Sequence, residues 1–215
     1  MDERTKGVAA GRLAVGAAAV CLLLGCGGRG SRLALNNTYE VLGAVTAGET
    51  AKLTGGQGQV LVFARETGAA GNPLVEAELG AFQRALKKHA GLSLVTERVP
   101  VSPTLMMATS GGLPPGQLLK ALQTHGSLAA VVSFFGFPEL GEPELEALKQ
   151  SGVKTVVVSS LRPGYKRLLE REAIQLAIVP REGAPPPRAR AARTLRERFD
   201  QEYTLLTPAD AARLP

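Results

Sequence analysis

Gln59-Val60-Leu61-Val62-Phe63-Ala64-Arg65, followed by Asn72-Pro73, is the stretch that decides the fold. Val60 to Phe63 is a continuous apolar run with no polar alternation, the pattern of a strand buried on both faces. Asn72 can cap a helix and Pro73 suits its first turn. Val75, Leu79, Phe82 and Leu86 then fall on one helical face, and Gly91 stops the helix. Leu92 to Val99 reads as a second strand. The same punctuation recurs downstream. Pro103 to Gly112 is a loop. Pro114-Pro115 opens a helix carrying Leu118, Leu119 and Leu122 that Gly126 stops, and Leu128 to Phe135 is the third strand. Pro143 opens a helix with Leu145 and Leu148, Gly152 stops it, and Val153 to Val158 is the fourth strand. A short helix over 163–173 leads to a fifth strand, Ile174 to Val179. The alternation predicts a doubly wound α/β fold: a mostly parallel five-stranded sheet with helices on both faces, a single Rossmann-like lobe.

Outward from this block, Pro185-Pro186-Pro187 reads as a stiff linker. A basic helix over about 188–199 and a terminal strand from Tyr203 to Leu206 follow it. On the other side, Asn37 has capping-box spacing to Glu40. Val41, Leu42, Val45 and Leu53 form the apolar side of the helix this predicts, although Gly48 weakens it. The division expected is 1–25 as a signal segment, 26–36 as a Gly/Ser/Arg tether, 37–182 as the α/β domain, and 183–215 as linker, basic helix and strand.

The N-terminus carries Arg4, Lys6 and Arg12 and then an apolar run from Leu13 to Leu24. That run suits a signal peptide and is shorter than the ~20 residues that span a bilayer. An uncleaved anchor is the rival reading. Ala17 and Ala19 mimic an Ala-x-Ala cleavage site, but they sit inside the apolar run. Leu23-Leu24-Gly25-Cys26 resembles the lipobox of bacterial lipoproteins. The resemblance implies removal of residues 1–25 and lipidation of Cys26, with the membrane as partner through that lipid. It also implies a cell-envelope location facing the periplasm, and Gly27 after the cysteine favours the outer membrane. Cys21 would leave with the signal, so the mature chain would hold no free thiol, disulfide or cysteine metal site.

Whole-chain charge is +6. Residues 1–25 hold three basic and two acidic side chains, so the remainder carries +5. Arg188, Arg190, Arg193, Arg196 and Arg198 supply much of the excess and read as a solvated helix face. No aromatic stacking platform interleaves them, and no nucleic-acid partner is expected. Gly55-Gly56-Gln57-Gly58 precedes the first strand, whereas a dinucleotide fingerprint follows one, and the loop after Arg65 lacks a P-loop ending. His89 and His125 sit at helix ends, where a cation suits the dipole. No pair has metal-ligand spacing and no G-x-S-x-G elbow occurs. No cofactor or metal is expected.

In an open parallel sheet, ligands bind beyond the strand carboxyl ends where strand order reverses. Those ends supply Arg65, Glu66 and Thr67, then Ser133 and Phe135, then Ser159 and Arg162, as candidate ligand-binding residues. Phe134 and Phe135 can alternatively be core, one on each face. The stretch from Gln59 to Pro180 resembles one lobe of the periplasmic-binding-protein-like class I fold. The first strand and Asn72 helix, Val131-Val132-Ser133-Phe134-Phe135-Gly136, and Lys154-Thr155-Val156-Val157-Val158 carry the resemblance, over a little more than half the chain. Flavodoxin-like domains share the architecture. Receptors of that class clamp ligand between two lobes, so the resemblance implies either a homodimer that rebuilds a cleft or an interaction module. Two readings follow. One is a lipid-anchored, non-enzymatic envelope protein that binds a small solute or a partner protein. The other is an envelope hydrolase using strand-end residues such as Ser159 or Ser160, which lack an evident general base.

Overall fold

The computed structural model describes residues 37–66, 71–100, 102–109, 112–137, 140–158, 165–183 and 192–214. Cys26 and the signal and tether segments lie outside the described residues. Six strands form one sheet in the order β2-β1-β3-β4-β5-β6. They are β1 (Gly58–Arg65), β2 (Leu92–Val99), β3 (Leu128–Ser133), β4 (Lys154–Val158), β5 (Leu176–Pro180) and β6 (Tyr203–Leu206). The first five are parallel, and β6 pairs antiparallel with β5, setting Tyr203 opposite Pro180 and Leu206 opposite Ala177. The five-stranded expectation is therefore corrected to six, because the terminal segment read as a strand joins the same sheet.

Strand β1 owes its central position to its composition. Val60, Leu61, Val62 and Phe63 are all fully buried, as a strand covered on both faces requires. Side chains alternate across the pleat. Val60, Val62 and Ala64 join one apolar cluster with Val41, Leu42, Leu79, Phe82 and Phe199. Leu61 and Phe63 join the other with Leu118, Leu145, Leu148 and Leu169.

Helices α1 (Thr38–Leu53), α2 (Pro73–Leu86) and α7 (Leu195–Glu202) thus cover one face. Helices α4 (Gln117–His125), α5 (Glu142–Ser151) and α6 (Tyr165–Glu170), with a 3-10 turn at Pro208–Arg213, cover the other. Asn37 caps α1 by accepting from the backbone N–H of Tyr39 at 3.1 Å and of Glu40 at 3.4 Å, and Asn72 caps α2 by accepting from Leu74 at 3.0 Å. Helix α1 runs through Gly43, and there the absent side chain matters. A Cβ at Gly43 would stand 2.0 Å from the Glu78 carbonyl oxygen, so only glycine lets α1 and α2 approach this closely. Thr46 and Thr50, buried in the same helix, donate to the carbonyls of Leu42 and Thr46, which satisfies their hydroxyls inside the apolar interface.

Two segments differ from the sequence expectation. The stretch read as a loop from Pro103 to Gly112 contains a short helix, α3 (Pro103–Ala108). The basic helix is later than expected, since α7 begins at Leu195 after the Thr194 cap, whose hydroxyl accepts from Glu197 at 3.1 Å. Helix α7 is tied to α1 by Arg196, which reaches Glu49 at 2.8 Å. Among the described residues no helix is long and apolar enough to cross a membrane.

Candidate functional site

Strand order reverses between β1 and β3, because β2 lies outside β1 on one side and β3, β4 and β5 run outward on the other. Crossovers leave toward opposite faces at this point, the position at which open α/β sheets bind ligands beyond the strand carboxyl ends. The residues there are Arg65 at the end of β1 with Glu66 after it, and Ser133 at the end of β3 with Phe134 to Phe137 after it.

Strand β3 stops at Ser133, two residues before the expected end. The Ser133 hydroxyl donates to the Gly136 carbonyl at 2.5 Å, and Gly136 adopts φ 88°, so the chain turns there. Neighbouring strands hold the turn. The Phe134 N–H donates to Phe63 O at 3.2 Å in β1, and the Gly136 N–H donates to Val158 O at 3.1 Å in β4. Phe134 and Phe135 go to opposite faces of the sheet. Phe134 meets Phe82 of α2 edge to face at 5.5 Å, while Phe135 is buried in the other cluster. Two of the candidate ligand contacts are thus engaged by the fold. Ser133 is buried with its hydroxyl bonded to Gly136, and Phe135 is a floor beneath Arg65 rather than an exposed stacking surface.

Arg65 lies over that floor. Its guanidinium carbon is 5.8 Å from the Phe135 ring centroid, and the side chain is half-buried. Stacking on an aromatic face orients a guanidinium while leaving the N–H groups at its edge free to donate. Among the described residues Arg65 makes no side-chain hydrogen bond or salt bridge. Glu66 is exposed, and its backbone N–H donates to Val99 O at 2.9 Å. Thr67, Ser159 and Arg162 lie outside the described residues, as does Ser160.

Glu78 of α2 was not singled out in the sequence. It is buried, and loss of water pushes its carboxyl from 4.5 up to about 8, with the Arg65 charge pulling the other way. The signal was available: Glu78 interrupts the apolar stripe of Val75, Leu79, Phe82 and Leu86. Tyr203 at the start of β6 is raised too, first by burial and then by the charges of Glu202 and Glu78. His125 is the last residue of α4, as read from the sequence, and its ring also reaches the sheet edge. Its Nε2 is 2.6 Å from Glu97 Oε1 of β2, and Gln117 donates to the other Glu97 oxygen at 3.0 Å. A separate groove of about 270 Å³ between α5 and α6 is lined by Glu142, Leu145, Glu146, Lys149 and Glu170 to Glu172. It contains none of the strand-end residues. Among the described residues no cluster of histidine, cysteine and carboxylate side chains could hold a metal.

No protein-family model and no curated protein matches the chain. Solved structures do. A solute-binding protein of an ABC transporter from Burkholderia graminis, in complex with D-arabinose, aligns with a TM-score of 0.52 at 15% identity, over 81% of this chain and 61% of its own. A sugar-binding protein of a sugar ABC transporter from Bacillus halodurans aligns at 0.53 and 12% identity, over 82% and 63%. A LacI-type transcriptional regulator from Bacteroides fragilis aligns at 0.53 and 11% identity, over 83% and 62%. The fold is the periplasmic-binding-protein-like class I fold. At these identities the likeness establishes architecture alone, and the chain spans about three fifths of the length of the proteins it matches.

Proposed function

We propose that this chain is a lipid-anchored, non-enzymatic protein of the cell envelope whose α/β lobe binds a small polar solute at the carboxyl ends of β1 and β3. The observation that carries the reading is Arg65. It is a half-buried guanidinium at the strand-order reversal, oriented by Phe135 and without a hydrogen-bond partner among the described residues. Convergent polar groups over an apolar floor are what a small-ligand site needs. Thr67 follows β1 in the chain and Ser159 and Arg162 follow β4, so we assign them to the same site. Sugar-binding proteins among the structural matches support a sugar-like solute. The Cys26 lipobox supports the anchor and the periplasm-facing location.

The binding half is tested by thermal shift and calorimetry with a panel of pentoses, hexoses and their acids. A ligand at about 100 times its Kd should stabilise the protein by about 2.7 kcal/mol, and Arg65→Ala should lose that gain. A flat panel would refute the reading. The anchor is tested by intact mass and detergent partitioning of native protein beside Cys26→Ser. Cleavage before Cys26 with added acyl mass, and partitioning lost in the variant, is the expected result. An unmodified full-length chain would overturn it.

A further inference from the structure

Most arginines described for this fold have a carboxylate to answer them. Arg98 binds Glu76 through two bonds of 2.7 and 2.9 Å. Arg167 and Arg171 share Glu142, at 2.9 and 3.2 Å. Arg196 takes Asp200 and Glu49, and Arg198 takes Glu202. Arg65 is half-buried and has no such ion pair among the described residues. Among the described residues two acids lie close in the chain or the fold, and neither is paired with Arg65 at the strand end. Glu66 is the next residue, so its side chain leaves the strand on the opposite side, and its charge is felt by Arg98 on β2. Glu78 is buried in the α1–α2 layer and holds its proton at neutral pH. Among the described residues, therefore, the strand end presents a positive, oriented fork of N–H donors over a ring, with no carboxylate paired to it.

We infer that the solute is an oxyanion-bearing sugar, a sugar acid or sugar phosphate whose anionic oxygens accept hydrogen bonds from the Arg65 guanidinium. This rests on the solute-binding reading and names the ligand class within it. Planar, two-pronged recognition of carboxylate and phosphate is what a guanidinium does better than an ammonium. A neutral sugar would take the same donors but leave the cation unanswered.

The test pairs each neutral sugar with its charged relative: D-glucose with D-glucuronate and glucose 6-phosphate, D-galactose with D-galacturonate. Calorimetry at pH 7 and low salt should show the charged member binding about tenfold or more tightly, with the advantage shrinking as ionic strength rises. Arg65→Gln should abolish the advantage, and Arg65→Lys should restore part of it. The preference is measured in the unaltered protein, so it does not depend on a variant folding. Equal affinity for neutral and charged members overturns the anion inference and leaves the solute reading standing. Binding of neither member overturns both.

Discussion

Glu78→Gln should remove a loss of stability that the unaltered protein suffers as pH rises. The carboxyl has an ordinary value of 4.5 and a folded value of about 8, raised chiefly by burial. The folded state therefore holds a proton between those limits that the unfolded chain has released. Stability falls wherever the folded state binds more protons. The contribution is fully present below pH 4.5, declines through the neutral range and is lost above pH 8. The span from 4.5 to about 8 is about 3.5 units, and at about 1.4 kcal/mol per unit the full loss is roughly 5 kcal/mol. Against a typical domain stability of about 5–15 kcal/mol, such a loss is decisive.

Glutamine keeps the shape and polarity of the protonated carboxyl without the titration. Urea unfolding at pH 5 and pH 9 should show the midpoint of the unaltered protein dropping sharply, while the variant drops far less. Asp210 does not blur the window. Its carboxyl is lowered below 3.8 by hydrogen bonds from Thr207, so its contribution is present above that pH and fades only in stronger acid. Parallel pH profiles for the two proteins would mean that Glu78 reaches water or a hydrogen-bond donor in solution, and the burial reasoning would be wrong.

Two other substitutions test the framework beneath the site. Gly43→Ala places a methyl group 2.0 Å from the Glu78 carbonyl oxygen, so α1 and α2 must separate. The cost should be about 2–3 kcal/mol by urea unfolding, and an unchanged midpoint would show that the helices are not held at this spacing. Asn72→Ala removes the acceptor for the Leu74 N–H and should cost about 1 kcal/mol, with Asn72→Asp recovering most of it.

The elements legible in the sequence are those specified locally. Val60 to Phe63 could be read as buried on both faces because a two-sided strand has no polar alternation, and all four residues are fully buried. Asn37 and Asn72 could be read as caps because capping needs only a short acceptor within two or three residues of the orphan N–H. Strand order was not legible, because it is decided by contacts between segments far apart in the chain. The end of β3 was misplaced for a related reason. Ser133-Phe134-Phe135 has the propensity of a continuing strand, and the turn comes from a hydroxyl folding back on Gly136 and from backbone bonds to β1 and β4. Tyr203 to Leu206 was visible as a strand, but its pairing with β5 was not. The candidate site was visible as a set of strand ends. Which of those side chains face outward depends on packing, so Arg65 and Phe135 could be named together while their stacking could not.

Glu78 and Arg65 also give the site a proton linkage. Arg65 supplies the charge that lowers the Glu78 carboxyl against its burial. The other titratable group coupled to Glu78 is Tyr203 of β6, which stays neutral because its own hydroxyl is raised. An oxyanion bound by Arg65 cancels the lowering influence, so occupancy should raise Glu78 further and draw in part of a proton near pH 8. Reciprocity requires affinity to fall as pH rises through that region. Calorimetry of D-galacturonate at pH 8 in two buffers of different ionisation enthalpy measures the uptake directly. A fraction of a proton should be taken up by the unaltered protein and none by Glu78→Gln. If both proteins take up the same amount, the proton goes elsewhere, and Glu78 is a structural acid uncoupled from whatever Arg65 holds.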